Sequence, residues 1–245
     1  MFDHVTLRVS DLPRSKRFYD LALETLEFKG TPYADEQGCE WDDFAFYVGE
    51  PVTRRLHVAF GAPSREHVDG FWRVLTEAGH PDDGAPGPRP QYSPTYYGAF
   101  VLDPDGNSAE AVHHDNVRQD GGVIDHLWLR VGSVEETGRF YSTIAAVLPF
   151  EVREVSPGRM FGLRGHGDIG SCSFVSGGVP TENVHLAFPA PDRETVDEFH
   201  RLALEAGYRD NGAPGERPQY HRGYYGAFVL DPDGNNVEAV YHDRD

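Results

Sequence analysis

The sequence predicts an α+β fold built from two tandem copies of one domain. Residues 84–112 and 212–240 align without gaps, and 23 of these 29 positions are identical. The two copies also begin alike, with FDHVTLRV and IDHLWLRV, and each start is followed by RFY. Strand-like and helix-like hydrophobic periods alternate along both copies. We therefore place one domain at residues 1–115 and a second at residues 123–245.

Composition restricts the class of protein. The chain has 245 residues, 39% of them hydrophobic, and a formal net charge of −18. This acidity argues against nucleic acid and anionic membranes as partners, because both are bound through basic patches. No apolar run approaches the roughly 18 residues of a membrane span, and the N-terminus lacks a signal-peptide pattern. The two cysteines exclude a disulfide framework and a thiolate zinc site, so we expect a cytoplasmic protein.

The first half of each copy begins with a strand and continues into a helix. Residues 2–9 alternate as a strand, and Asp11 is placed to cap a helix with Pro13 in its first turn. Two further apolar runs, at 44–48 and 55–61, have the length and composition of strands.

The second half of each copy repeats this order. Ser64 is placed to cap a helix and Gly79 to end it. Strands at 97–102 and 107–113 are joined by a DPDG turn. The apolar stripe of the helix consists of Val68, Phe71, Trp72, Leu75 and Ala78. Two modules per copy give four modules, with helices on one face of mainly antiparallel sheets.

Strand alternation places histidines and glutamates on the sheet face that does not pack on helices. In residues 2–9 the apolar positions are Val5, Leu7 and Val9, and His4 lies on the opposite face. The same argument applies to the strands at 55–61 and 107–113 and to their counterparts. The resulting sets are His4, His57 and Glu110 in the first copy, and His126, His185 and Glu238 in the second.

Two imidazoles and one carboxylate on rigid strands are the ligand set of an open divalent metal site. Fe²⁺, Mn²⁺, Ni²⁺, Co²⁺ or Zn²⁺ suits such a site, with coordination positions left for substrate or water. The alternative interpretation is that these are unrelated polar residues on a solvated face. The occurrence of the same three residue types at matching places in both copies favours the metal.

These residues carry a family resemblance over nearly the whole chain, twice. DHVTLRV at 3–9, RLHVAF at 55–60 and FVLDPDGNSAEAV at 100–112 resemble the vicinal oxygen chelate superfamily of glyoxalases, bleomycin resistance proteins and extradiol dioxygenases. The resemblance implies βαβββ modules paired into cup-like mixed sheets with helices outside. It implies a metal at the bottom of the cup, held by the six residues above, and a small-molecule substrate that chelates through adjacent oxygens.

A loop that recurs in both copies supplies further candidates. It contains Arg89, Tyr92, Tyr96 and Tyr97, which recur as Arg217, Tyr220, Tyr224 and Tyr225. Of these, Tyr96 and Tyr224 are the candidate catalytic residues, which would hold or protonate substrate. The alternative is a loop packed by its own aromatic rings. His114 and His242 follow the glutamates by four residues, which suits either support of the site or an exposed strand end.

The leading functional hypothesis is a metal-dependent enzyme, either a glyoxalase-like lyase or isomerase or a dioxygenase. The rival is a small-molecule binding or drug-sequestering protein without turnover. We expect the two copies to form a pseudo-dimer within one chain, and further oligomerisation stays open. Each copy could complete its own triad, or the first histidine could be exchanged, so that His4 joins His185 and Glu238. The resemblance allows both arrangements, and we favour exchange. The junction at 115–122 can span about 25 Å when extended, which is enough to bring the strand at 123–131 beside the first copy.

Overall fold

A computed structural model describes residues 1–28, 32–115, 122–165 and 171–243. Most of the predicted junction at 115–122 lies outside these residues. The helices are α1 (Leu12–Thr25), α2 (Arg65–Glu77), α3 (Val134–Ile144) and α4 (Arg193–Glu205). The strands of the first repeat are β1 (His4–Val9), β2 (Tyr33–Ala34), β3 (Gly38–Trp41), β4 (Phe44–Val48), β5 (His57–Gly61), β6 (Asp82–Pro88), β7 (Tyr97–Leu102) and β8 (Ser108–His113). Those of the second are β9 (Ile124–Val131), β10 (Phe150–Ser156), β11 (Met160–Gly165), β12 (Ser171–Ser176), β13 (His185–Pro189), β14 (Arg209–Glu216), β15 (Tyr224–Leu230) and β16 (Asn236–His242).

The order of elements confirms the predicted α+β class. Strand, helix and three strands follow one another four times, so the chain consists of four βαβββ modules in two tandem repeats. The strands form two mixed sheets of eight, ordered β14-β15-β16-β13-β1-β4-β3-β2 and β10-β11-β12-β9-β5-β8-β7-β6. Each sheet is mixed, since β13 pairs in parallel with β16 in one sheet and β5 pairs in parallel with β8 in the other.

Spatial contact divides the chain differently from the repeat. One compact unit contains residues 6–128, and the other contains residues 1–5 together with 129–245. The division falls inside β1 and β9, so the start of each of these strands belongs with one unit and its end with the other. The domain limits 1–115 and 123–245 stay a prediction from the sequence repeat.

In the unit of residues 6–128, both helices begin where the sequence predicts. Asp11 precedes α1 and its carboxylate accepts a hydrogen bond from the backbone of Arg14. Helix α2 packs against β6, β7 and β8 and buries Val68, Phe71 and Leu75. Two positions of the predicted apolar stripe do not face the core. Ala78 is exposed, and the indole of Trp72 donates a hydrogen bond to Asp82 at the helix surface.

In the other unit, helix α4 packs against β14, β15 and β16, and helix α3 packs against β10, β11 and β12. Aromatic rings fill the core beneath α3. Phe161 and Phe174 stack with centroids 4.7 Å apart, and Tyr141 lies 4.4 Å from Phe174.

Both cysteines of the chain are buried and free. Over the described residues, no helix is long and apolar enough to pass through a bilayer.

The sequence analysis did not identify strands β6 and β14. Their sequences, DDGAPGP and RDNGAPGE, are rich in the glycine and proline that usually indicate loops. Each lies at the end of its sheet, where a missing N–H donor is tolerated because only one side of the strand is paired. Both ladders contain register shifts next to a glycine. The edge position, which depends on the whole sheet, explains why these residues form strands.

The DPDG turns are held by buried aspartates. The Asp103 carboxylate accepts from the backbone N–H groups of Asp105 and Asn107, at 2.9 and 2.8 Å. It also accepts from the hydroxyl of Tyr19 at 2.8 Å, which ties helix α1 to the turn. In the second repeat the RFY motif places Tyr141 at the corresponding position, but among the described residues its buried hydroxyl has no hydrogen-bond partner.

This difference predicts that the same substitution has different effects in the two repeats. Tyr19→Phe removes a buried hydrogen bond to a carboxylate and should cost about 1–3 kcal/mol of unfolding free energy. Tyr141→Phe removes a hydroxyl that was buried without a partner, so its cost should be near zero or negative. Urea denaturation of the two matched variants measures both. Equal destabilisation by the two changes would contradict the assignment.

Candidate metal centre

The first cluster of possible ligands lies in the unit of residues 6–128. It consists of His57 on β5, Glu110 on β8 and His126 on β9, with one donor atom from each residue within 4.8 Å of the others. The Nε2 atom of His57 lies 2.9 Å from Glu110 Oε2, and that of His126 lies 3.5 Å from the same oxygen.

The second cluster lies in the other unit and has the same composition. His4, His185 and Glu238 place their donor atoms within 4.8 Å of one another. Glu238 Oε2 lies 3.0 Å from His185 Nε2 and 3.6 Å from His4 Nε2. All six residues singled out by strand alternation therefore occur in these clusters. The grouping is the exchanged one, because each first histidine joins residues of the other repeat.

Strand pairing explains why the three side chains converge. Strand β5 lies between β8 and β9, and Ala59 on β5 is the register partner of both Glu110 and His126. His57 precedes Ala59 by two residues and so lies on the same face. Because Ala59 ends at its Cβ atom, the longer side chains on either side can meet above it. Ala187 occupies the corresponding position opposite Glu238.

A glycine makes room for each carboxylate. Gly98 on β7 lies beside Glu110, and a Cβ atom there would collide with Glu110 Oε1 and come within 3.2 Å of the Tyr96 ring. Gly226 has the same relation to Glu238 and Tyr224. The glycine of the YYGAF segment therefore belongs to the site, although the sequence analysis did not identify it. Its recurrence in both repeats was the available signal.

The carboxylates are buried and the histidines are partly accessible. Glu110 and Glu238 are each 1% exposed, whereas the His57 and His126 side chains are each 18% exposed. Burial alone would raise the pKa of Glu110, but hydrogen bonds from His126 and His57 outweigh it and lower the pKa to about 2. Burial alone would lower the pKa of His126, but Asp125 and Glu110 raise it to about 10. The cluster therefore strongly favours a cation beside the carboxylate.

The two candidate catalytic tyrosines contact the glutamates directly. Tyr96 donates its hydroxyl hydrogen to Glu110 Oε1 at 2.7 Å, and Tyr224 donates to Glu238 Oε1 at 2.6 Å. This leaves Oε2 of each carboxylate facing the histidines. Burial and the adjacent carboxylate raise the pKa of Tyr96 far above its usual value, so the phenol stays protonated. Tyr97 takes no part, because its hydroxyl donates to Asp69 on α2.

An outer carboxylate orients one histidine of each cluster, and the sequence analysis did not identify it. Asp125 is 4% exposed and lies 2.8 Å from His126 Nδ1 and 3.1 Å from His114 Nε2. Asp3 has the same relation to His4 at 2.8 Å and to His242 at 2.9 Å. His114 and His242 thus support the site, and an exposed strand end is the wrong interpretation. The recurring Asp-His dipeptide was the signal.

The donor set fits a divalent metal. The hydrogen bond that Nδ1 of His126 donates to Asp125 turns Nε2 toward the cluster, where a metal ion would take the place of the Nε2 hydrogen. An outer carboxylate of this kind is common around metal-ligating histidines. Glu110 offers Oε2 while Oε1 is occupied by Tyr96. Two imidazoles and one carboxylate leave positions open for exogenous ligands, which is typical of catalytic rather than structural metal sites.

The fold and the clusters define a class of protein in which paired βαβββ modules present two histidines and a glutamate from neighbouring strands. The chain belongs to the glyoxalase/bleomycin resistance protein/dioxygenase superfamily, whose sequence model matches residues 1–111 and 123–239. The two matched ranges correspond to the two repeats.

Solved structures show the same fold at low sequence identity. Glyoxalase I from Zea mays superposes with a TM-score of 0.68 and 19% identity, over 98% of this chain and 92% of that protein. A putative dioxygenase from Bacillus subtilis superposes with a TM-score of 0.63 and 16% identity, over 99% of this chain and 85% of that protein. No curated protein matches the sequence significantly.

The close approach at Gly98 predicts a stability effect. Gly98→Ala should cost about 1–3 kcal/mol of unfolding free energy, because the added methyl group overpacks a buried carboxylate. Gly70→Ala is the matched control, since a Cβ atom there meets nothing within 4 Å. In the middle of α2 it should stabilise the protein by about 0.5–1 kcal/mol. Equal effects of the two changes in urea denaturation would refute the proposed crowding.

Proposed function

We propose that each cluster binds one divalent metal ion and that the protein is an enzyme acting on a small molecule that chelates the metal through adjacent oxygens. The observation that carries this proposal is the convergence of two histidines on a buried glutamate, in both units, within 4.8 Å. Isolated burial of an ionised carboxylate is costly, and a metal ion is among the partners that offset it. Fe²⁺, Mn²⁺, Ni²⁺, Co²⁺ and Zn²⁺ all suit these donors.

Some residues of the chain would bind the metal ion, and others would orient its ligands or keep a hydrogen at a fixed atom. His57, Glu110 and His126 would hold the metal in one centre, and His4, His185 and Glu238 would hold it in the other. The bound metal would supply Lewis acidity toward the substrate oxygens. Asp125 and Asp3 fix the orientation of one imidazole in each centre.

Two tyrosines are the candidates for a direct role with substrate. Tyr96 and Tyr224 keep their phenolic hydrogen beside the carboxylates, because burial and the neighbouring glutamate raise the pKa of each. They are therefore suited to hold a substrate oxygen by donating a hydrogen bond, whereas so high a pKa disfavours complete transfer of the proton. A substrate bound beside Glu110 or Glu238 would lie within reach of these hydroxyls, which are 2.7 and 2.6 Å from the carboxylates.

Two reaction types fit the centre, a glyoxalase-like lyase or isomerase reaction and a dioxygenase reaction. The first requires proton transfer at a carbon next to a chelating oxygen, and the second requires iron with an open position for oxygen. A binding protein without turnover is the rival, and the complete ligand sets favour an enzyme over it. The pseudo-dimer, the oligomeric state and the cytoplasmic location stay predictions from the sequence.

Metal stoichiometry tests the ligand assignment. Purified protein should bind two equivalents of divalent metal, Glu110→Ala or Glu238→Ala should each leave one, and the double variant should leave none. Removing a ligand leaves too few protein donors to hold the ion. Glu66→Ala, at an exposed position on α2, is the control and should retain both. Full occupancy in the double variant, measured by elemental analysis, would reject the assignment.

Pairs of substitutions test the exchange of the first histidine. His4→Ala combined with Glu238→Ala should leave one equivalent of metal, because both changes fall in one cluster. His4→Ala combined with Glu110→Ala damages both clusters and should leave none. Circular dichroism controls for the fold of each variant. The reverse pattern, with metal retained only in the second pair, would show that each repeat completes its own triad.

A further inference from the structure

We infer that the two proposed centres have different substrate specificity, and that Trp128 makes the centre of His57, Glu110 and His126 select ligands with a planar apolar group beside the chelating oxygens. This inference rests on the proposed metal sites. It goes beyond them because it assigns a ligand preference to one centre and a residue that causes it.

Trp128 lies directly beside the first cluster. It follows His126 by two residues on β9, so both side chains lie on the same face of the strand. Its register partner on β5 is His57, and the two rings meet edge to face with centroids 6.5 Å apart. The half-buried indole therefore borders the face on which the donor atoms converge.

Two tyrosines extend the indole into an aromatic wall. Tyr92 meets Trp128 edge to face at 6.1 Å, and it lies 5.0 Å from Tyr96, whose hydroxyl donates to Glu110. Tyr92 is 51% exposed, so the wall runs from the buried carboxylate out to solvent. A ligand held by its oxygens near Glu110 would find ring surfaces along this direction. Stacking or edge contacts with such rings favour flat apolar groups.

A second ring borders His57 from the other side. The Phe100 ring lies 5.7 Å from that of His57, and the guanidinium of Arg89 lies 5.4 Å from the centroid of Phe100. The second centre repeats this part closely, with Phe228 at 6.1 Å from His185 and Arg217 at 5.5 Å from Phe228. The pair of phenylalanine and arginine is therefore common to both centres and does not distinguish them.

The two centres differ at the position of Trp128. The repeat alignment of DHVTLRV with DHLWLRV pairs Trp128 with Thr6, a small polar residue, so the sequence that follows His4 has no counterpart of the indole. A second difference replaces Ser93 by His221, which stacks on His242 at 5.0 Å and lies 2.9 Å from it through the ring nitrogens. His242 in turn contacts Asp3, which holds His4. The surroundings of the second centre are thus more polar.

Two hydroxamates make a matched test, because acetohydroxamate and benzohydroxamate chelate a metal through the same two adjacent oxygens and differ in one phenyl ring. Glu238→Ala leaves only the centre beside Trp128, and Glu110→Ala leaves only the other. Each variant is loaded with Zn²⁺, its metal content is measured, and the dissociation constants of both hydroxamates are determined by calorimetry. In the first variant benzohydroxamate should bind about fivefold to tenfold more tightly than acetohydroxamate, and in the second the difference should stay within about twofold.

Substitution of the indole identifies the cause. Adding Trp128→Thr to the Glu238→Ala variant should reduce the preference to about twofold and leave acetohydroxamate binding unchanged. Trp128→Phe keeps an aromatic ring and should retain most of the preference. An unchanged preference in the Trp128→Thr protein with its metal still bound would overturn this inference alone. Failure of both single-centre variants to bind Zn²⁺ would overturn the proposed metal sites and the specificity together.

Discussion

The feature on which the site depends is the burial of one ionised carboxylate between strands. Glu110 and Glu238 are almost completely removed from solvent, and an isolated charge in such a place would be strongly unfavourable. Each is offset by two imidazoles at one oxygen and a tyrosine hydroxyl at the other. The small residues around it follow from the same requirement, since Ala59 and Gly98 leave the volume that the carboxylate and its partners occupy.

The residues that surround the proposed ligands determine which ligand atoms are directed at the metal site. An imidazole has two nitrogens, and the one that holds hydrogen decides which one can act as a ligand. The hydrogen bond from His126 to Asp125 fixes that choice and leaves Nε2 directed at the cluster. The His114 ring also contacts Asp125 and stacks on Tyr96 at 5.7 Å, so it connects the outer carboxylate to the tyrosine that holds Glu110. Histidine, aspartate and tyrosine thus restrict one another's orientation.

A comparison of the two repeats shows which site residues they share and at which positions they differ. Both repeats keep the two histidines, the glutamate, the tyrosine and the aspartate of the site. They differ in the periphery, where Trp128 aligns with Thr6 and Ser93 with His221. They also differ in the core, where Tyr19 is bound to Asp103 while the hydroxyl of Tyr141 is unsatisfied within the described residues. The divergence lies where it changes recognition or packing without removing a possible ligand.

The sequence by itself determined the duplication, the strong helices and strands, and the six residues of the two clusters, because these follow from local periodicity. Alternation within β1, β5 and β8 suffices to put a histidine or glutamate on a chosen face. The tertiary structure alone decided that His4 joins His185 and Glu238, that Asp3 and Asp125 support the histidines, and that the glycine-rich β6 and β14 are edge strands. These features depend on which strands become neighbours and in what register, and that pairing is set by contacts between residues far apart in the chain.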